Sequence, residues 1–276
     1  MIINKNMDLT LLSGLKIGGS AEIVYYPEDK REMIELIAEF GADAVIIGGG
    51  TNTVFSSGAH TKPFIMTTAL NEIRSSGNSL YLQAGVLAAQ AVDTARRSGL
   101  KGMECLWGIP GTMGGAIRGN ASIGSDSLFS HLKELSLIGL AGDEYQMDKF
   151  TPEYRDSGIK DVIFSAEFEL ENWSESASAA VIEELKAIRA AQPKGVSCGS
   201  VFKNPEGKTA GYLIDKAGFK GRSWGGLTVS KEHANWFIRT GDAVFEDFEN
   251  GVSEIRKEVL ALFDIELELE IKVYYA

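Results

Sequence analysis

Cysteine is nearly absent from this chain of 276 residues: there are two, Cys105 and Cys198. They lack metal-ligand spacing and are too few for a disulfide framework. The three histidines, His60, His131 and His233, are scattered, which suggests neither a metal site nor a Ser-His pair. No apolar run reaches membrane-spanning length, and the opening MIINKNMDLT has no basic region followed by an apolar one, so a cytosolic protein is expected. Basic charge is also short, 27 Lys and Arg against 38 Asp and Glu, a net charge of −11. Nucleic acid or a membrane surface would want a basic face, so neither is an expected partner. An anionic small molecule held by local N–H groups and a few cations remains compatible with that balance.

What the chain does have is glycine, 31 of them, concentrated where it matters. Residues 105–120 read CLWGIPGTMGGAIRGN. Within them Pro110, Gly111, Thr112, Met113, Gly114 and Gly115 let the backbone take positive φ and approach a ligand without Cβ hindrance. Successive N–H groups of such a loop can form an anion-binding nest. A second stretch, Val45-Ile46-Ile47 running into Gly48-Gly49-Gly50-Thr51-Asn52, repeats the design. Two such loops point to one large phosphate-bearing ligand held from two sides. The common nucleotide motifs fail: the 48–53 stretch lacks the third glycine of GxGxxG and no good helix opens after it, and Phe202 stands where a Walker A ending at Gly207-Lys208-Thr209 needs its first glycine.

In chain order, 22–26 reads as a strand, 28–40 as an amphipathic helix with Met33, Ile34, Ile37 and Phe40 in its stripe and Gly41 as its stop, and 44–47 as a strand. Strands follow at 63–68 and 80–84, a helix at 87–97, and strands at 133–140 and 162–170. Tyr154-Arg155-Asp156-Ser157 reads as a polar loop. A helix carries Val181, Ile182, Leu185 and Ile188, and the composition changes after it, so a boundary is placed near 175–193. Beyond it lie a third glycine-rich stretch (194–205), a short helix (210–217), strands at 227–229 and 235–238, and a long helix with Phe248, Val252, Ile255, Val259 and Phe263 buried. The last strand alternates Ile265, Leu267, Leu269, Ile271 and Val273 against Glu266, Glu268, Glu270 and Lys272. On pattern alone, Arg155, Ser200 and Glu270 are unremarkable surface residues, and the chain is a two-part α/β protein gripping a phosphorylated ligand.

Seven blocks taken together say more: GGGTN at Gly48, GIPGTMGGAIRGNA at Gly108, YRDS at Tyr154, QP and CGSVFKNP at Gln192 and Cys198, AGYLIDKAG at Ala210, VSKEHANWF at Val229 and LELEIK at Leu267. In this order they resemble the UDP-N-acetylenolpyruvoylglucosamine reductase family, over nearly the whole chain. The resemblance implies an α+β protein with a vanillyl-alcohol-oxidase-like FAD-binding region of two α/β subdomains, residues 1–85 and 86–190, and a C-terminal α/β substrate domain, residues 191–276. It implies FAD as cofactor and NADPH as co-substrate, with a UDP-sugar, UDP-N-acetylglucosamine enolpyruvate, reduced to UDP-N-acetylmuramate in the cytosolic phase of bacterial peptidoglycan synthesis. No metal is implied.

By the same resemblance Gly48, Gly49, Gly50, Thr51, Asn52, Pro110, Gly111, Thr112, Gly114, Gly115 and Asn120 bind the flavin. Arg155 stabilises charge on the substrate carboxylate, Ser200 gives a proton to C2, and Glu270 faces the cleft. Lys203, Asn204 and Asn235 are expected substrate contacts, and Cys198, two residues from Ser200, is a rival proton donor. The chain departs from the family at Asn120-Ala121-Ser122-Ile123-Gly124-Ser125, where NAGAYG is common, at Thr53-Val54 and at Arg239. It is short and lacks a loop insertion whose tyrosine closes over substrate, so it resembles the shorter branch. Two other readings stay open: another oxidoreductase on the same flavin fold, and a non-catalytic flavin- or nucleotide-binding module.

Overall fold

The computed structural model describes residues 1–123, 126–173 and 175–276. Gly124 and Ser125, part of the departure after Asn120, lie outside the described residues. The chain divides into two compact units: Met1–Lys5, Ile23–Gly49 and Lys62–Ala190 form the first, and Asn6–Glu22, Gly50–Thr61 and Ala191–Ala276 the second.

The first unit holds two layers of sheet and helix. Val45–Ile47 and Ser20–Tyr26 both pair parallel with Phe64–Met66. Parallel neighbours need a crossover, and Lys30–Phe40 supplies it. Asp29 starts this helix by accepting from Glu32 N at 2.8 Å, and Gly41, at φ 51, ends it. It buries Met33, Leu36 and Ile37, while Ile34 and Phe40 of the expected stripe are only partly covered against Ile65, Ile138 and Phe164. The second sheet is antiparallel, in the order Glu144–Met147, Leu132–Ile138, Val162–Glu169, Ser79–Gln83, Ile73–Ser76. Helices Ala88–Arg97 and Met113–Arg118 share a core with it through Ala91, Ala95, Met113, Ile117, Leu82 and Phe168.

The second unit is organised by the helix Phe245–Phe263, whose Phe248, Val252, Ile255 and Val259 are buried as the heptad-like spacing requires. They meet Leu227, Phe237, Leu213, Leu15 and Val54 in one core. Leu227–Val229 pairs antiparallel with Phe237–Arg239. The expected terminal strand at 265–273 is shorter in fact: Leu267 and Ile271 are buried and Glu266, Glu268 and Lys272 exposed, as alternation predicts, but ladder pairing is limited to Lys272–Tyr274, parallel with Thr53–Phe55. Residues 265–271 lie outside that ladder and pair with residues 201–203 around the isolated Phe202–Leu269 bridge. Also new is the strand Ile2–Asp8, almost wholly exposed. Among the described residues no helix is long and apolar enough to cross a membrane.

Candidate active site

The two glycine loops meet. In the first unit Gly48 and Gly49 lie directly against Gly111 and Thr112: a methyl on Gly48 would overlap the Thr112 hydroxyl, and one on Gly49 would sit 3.0 Å from the Gly111 Cα. Gly111 is at φ 110, a conformation that side chains rarely adopt. Gly114 is glycine for a different reason, since its N–H donates to Ala84 O at 2.8 Å and a Cβ would strike the Ala84 methyl at 2.8 Å. Gly115 is exposed, with only the Thr112 Oγ1 near its Cβ position, at 3.6 Å. Pro110, exposed at the mouth of this turn, sets its entry. No helix opens after Asn52; the strand Thr53–Phe55 follows, as the failed GxGxxG match implies.

Thr112 is 2% exposed, and its Oγ1 has no hydrogen-bond partner among the described residues. Leaving a buried hydroxyl unpaired is unfavourable by about 1–3 kcal/mol, so such an atom calls for an explanation. Side-chain-free backbone from two loops around an unsatisfied donor is chemistry that suits a diphosphate, and the residues present fit FAD. A surface depression of about 690 Å³ elsewhere in this unit, lined by Asn78, His131, Lys133 and Glu169, has no such features; its strand end, at Ser79, is opposite the end that meets Gly114.

Asn120 and Arg155 share one substructure. Asn120, at φ 41, donates from Nδ2 to Glu153 O at 2.9 Å and accepts from Ser127 Oγ at 3.2 Å. Glu153 and Asp156 bridge each other across a tight turn, and Arg155 sits in it at φ 57. A non-glycine residue in that region is disfavoured, and its retention is common at functional sites. Arg118, unnoticed in the sequence, straps the segment by donating to the carbonyls of Ile159 and Asp161, while Ser157 N donates to Arg118 O at 3.2 Å. Half-buried Arg155 lies 5.4 Å from the Tyr154 ring centroid.

The second unit brings Gly50, Thr51 and Asn52 together with Ser200, Lys203, Asn235 and Glu270. Gly50, at φ 68, passes so close to Leu12 O that no side chain fits, and Thr51 O presses on Gly14 in the same way. Ser200 follows Gly199, at φ 79, and bridges Trp236. One residue on, Val201 accepts from Glu270 N at 2.9 Å, and Glu268 O accepts from Lys203 N at 2.8 Å. The backbone of Glu270 is thus tied to the residue that follows Ser200. Glu270 is partly buried, unlike Glu266 and Glu268.

Besides Asn120, three of the expected ligand contacts are already engaged within the protein. Asn235, 3% exposed, accepts from Phe202 N at 2.9 Å and donates to Phe202 O at 2.8 Å. Asn204 Oδ1 accepts from Ala210 N at 3.0 Å and so anchors the helix Ala210–Lys216. Asn52 Nδ2 donates to Glu270 O at 3.0 Å. Lys203 Nζ lies 3.5 Å from Glu268, with both groups partly in solvent.

Cys198 is a poor proton donor. Its thiol is buried against Gly14 and directed at Thr53 O, 3.7 Å away, and burial pushes its pKa up to about 12. His233 of the HAN block accepts from Asn235 N through Nδ1, and burial pushes its imidazole below its usual value, which keeps the ring neutral. Among the described residues no group of His, Cys, Asp or Glu could hold a metal ion.

Comparison with known proteins places the chain in a family. Residues 21–143 match the model of an FAD binding domain, and residues 192–274 that of the UDP-N-acetylenolpyruvoylglucosamine reductase C-terminal domain. The reductase of that name from Pediococcus pentosaceus is 30% identical over 96% of this chain and 92% of its own length. The one from Carboxydothermus hydrogenoformans is 34% identical over 94% of this chain and 89% of its own. The crystal structure of UDP-N-acetylenolpyruvylglucosamine reductase from Thermus caldophilus superposes with a TM-score of 0.87 at 27% identity, covering 99% of both chains. The α+β fold, the FAD-binding region and the matched C-terminal domain leave one assignment: the chain belongs to the UDP-N-acetylenolpyruvoylglucosamine reductase family, a family of flavin-dependent oxidoreductases.

Proposed function

We propose that this chain reduces UDP-N-acetylglucosamine enolpyruvate to UDP-N-acetylmuramate with NADPH, in the cytosolic supply of peptidoglycan precursors. The observation that supports this reading is the pairing of Glu270 N with Val201 O, which ties the segment carrying this carboxyl to the residue after Ser200. Residues 1–85 and 86–190 serve the flavin in this reading, and residues 191–276 the substrate. Bound FAD supplies the hydride that passes from NADPH to C3 of the enolpyruvyl group. Gly48, Gly49, Gly111 and Thr112 hold the diphosphate of that cofactor by main-chain N–H groups and a hydroxyl.

Hydride addition at C3 pushes charge through C2 onto the substrate carboxylate. Arg155 faces that charge as a fixed cation, stabilising it more as it develops than in the resting substrate. Ser200 gives its proton to C2, a role in which a hydroxyl depends on placement because it is a weak acid. Glu270, when protonated, donates a hydrogen bond to the developing enolate. Lys203 meets an anionic portion of the UDP-sugar. The test is direct: the purified protein should show a flavin spectrum and oxidise NADPH only when the enolpyruvyl substrate is added. A flavin-loaded protein whose NADPH oxidation ignores that substrate sinks the assignment.

A further inference from the structure

The parallel pairing of Thr53–Phe55 with Lys272–Tyr274 starts one rung early, and the early rung is unusual. In a parallel ladder the rung preceding the Thr53–Lys272 pair would run from the main-chain N–H of residue 52 to the carbonyl of residue 270, and from the N–H of residue 272 to the carbonyl of residue 52. The second of these is present, Lys272 N to Asn52 O at 3.0 Å. The first is made by a side chain: Asn52 Nδ2 donates to Glu270 O at 3.0 Å. The other main-chain group of Glu270 is held as well, its N–H donating to Val201 O at 2.9 Å. Glu270 is therefore fixed on one side by the segment carrying Ser200 and on the other by the amide of Asn52. Its neighbour Ile271, 3% exposed, sits in the core between them.

We propose that Asn52 is a positioning residue for Glu270, acting through this amide-to-carbonyl hydrogen bond rather than as a ligand of the flavin. The proposal rests on the reading of Glu270 as the group that donates to the enolate. A carboxyl that must meet a transient charge gains from a backbone with no slack, because small displacements weaken a hydrogen bond steeply. The residue type follows from the task. At this position serine is too short to reproduce an amide rung, aspartate offers no donor, and lysine brings a charge and a flexible stem. Asn52 is exposed, so replacing it removes the hydrogen bond without opening a core cavity.

The test uses the flavin-loaded protein and Asn52→Ala, Asn52→Asp, Glu270→Gln and the double variant Asn52→Ala/Glu270→Gln. FAD affinity is read by fluorescence quenching on reconstitution, flavin reduction by NADPH and reoxidation by the enolpyruvyl substrate are read separately by stopped flow, and the pH profile of reoxidation is recorded. The expected result is FAD affinity and reduction near wild type, with reoxidation slowed about tenfold by either Asn52 substitution, the scale of one lost hydrogen bond. The limb of the pH profile that vanishes in Glu270→Gln should be displaced in both Asn52 variants. In the Glu270→Gln background Asn52→Ala should change reoxidation by less than about twofold, because a residue acting through another is not additive with it. Equal slowing in both backgrounds overturns the proposal, as does weakened FAD binding with normal reoxidation at saturating FAD. Glu270→Gln reoxidising at the wild-type rate overturns the reading of Glu270 itself and is seen in the single variant alone.

Discussion

Asn235 grips Phe202 by both main-chain groups, its Oδ1 accepting at 2.9 Å and its Nδ2 donating at 2.8 Å. It thereby acts as a surrogate strand edge for the segment in which Ser200 lies. Asn235→Leu should leave the buried N–H and C=O of Phe202 without partners and destabilise the protein by about 2–4 kcal/mol. Urea denaturation measures this. A variant of unchanged stability whose KM for the UDP-sugar rises would instead mark Asn235 as a direct substrate contact.

Ser200→Ala should separate the two halves of the reaction. Reduction of the flavin by NADPH is expected to persist while turnover of the enolpyruvyl substrate falls by about 10²–10⁴, the usual worth of a positioned proton donor. Rapid-reaction measurements of each half decide it. Loss of both halves in a folded, flavin-loaded variant counts against Ser200.

The orphaned hydroxyl of Thr112 gives a prediction with two opposite signs. Thr112→Val removes a buried unpaired donor, so the flavin-free protein should keep or gain stability, by up to about 1 kcal/mol. The same change should weaken FAD binding about tenfold, one hydrogen bond's worth. Thermal unfolding of the apoprotein and fluorescence titration with FAD test the pair. An unchanged affinity would show that the hydroxyl plays no part in holding the cofactor.

Burial raises both thiols, Cys105 and Cys198, from the usual 9.0 to about 12. A thiol kept neutral by the fold contributes nothing extra below its unfolded pKa. Above that value the unfolded chain sheds a proton that the folded chain retains. Stability should therefore be lost as pH climbs from about 9 toward about 12, at about 1.4 kcal/mol per pH unit for each cysteine. Urea midpoints from pH 8 to 11 test this, and Cys198→Ala should flatten the slope while sparing turnover. Impaired turnover at intact stability would reinstate Cys198 as a proton donor.

The long helix with Phe248, Val252, Ile255 and Val259, the crossover helix ending at Gly41 and the two glycine loops were all legible, because periodicity and left-handed backbone leave marks in residue type. The Ile2–Asp8 strand was not, since it is exposed on nearly every residue and so carries no alternation. Residues 265–271 alternate in burial without a ladder, and burial is all that pattern reports. The work done by Asn52, Asn204 and Asn235 was equally hidden. An asparagine is written the same way whether it meets a ligand or stands in for a missing strand, and only coordinates tell which carbonyl it reaches. The strap of Arg118 over the Arg155 turn had no sequence signal at all.

The second compact unit draws on three separated stretches of chain, with Leu15, Ile17 and Val54 embedded among residues from the last third. A ribosome releases the two early stretches long before their partners exist, so these apolar side chains must wait, uncovered, through most of synthesis. Closing the Thr53–Phe55 edge needs Lys272–Tyr274, more than two hundred positions further along the chain. Expressing 191–276 alone should yield a sticky fragment rather than a portable module, and excising 272–274 should unfasten the edge at Thr53–Phe55.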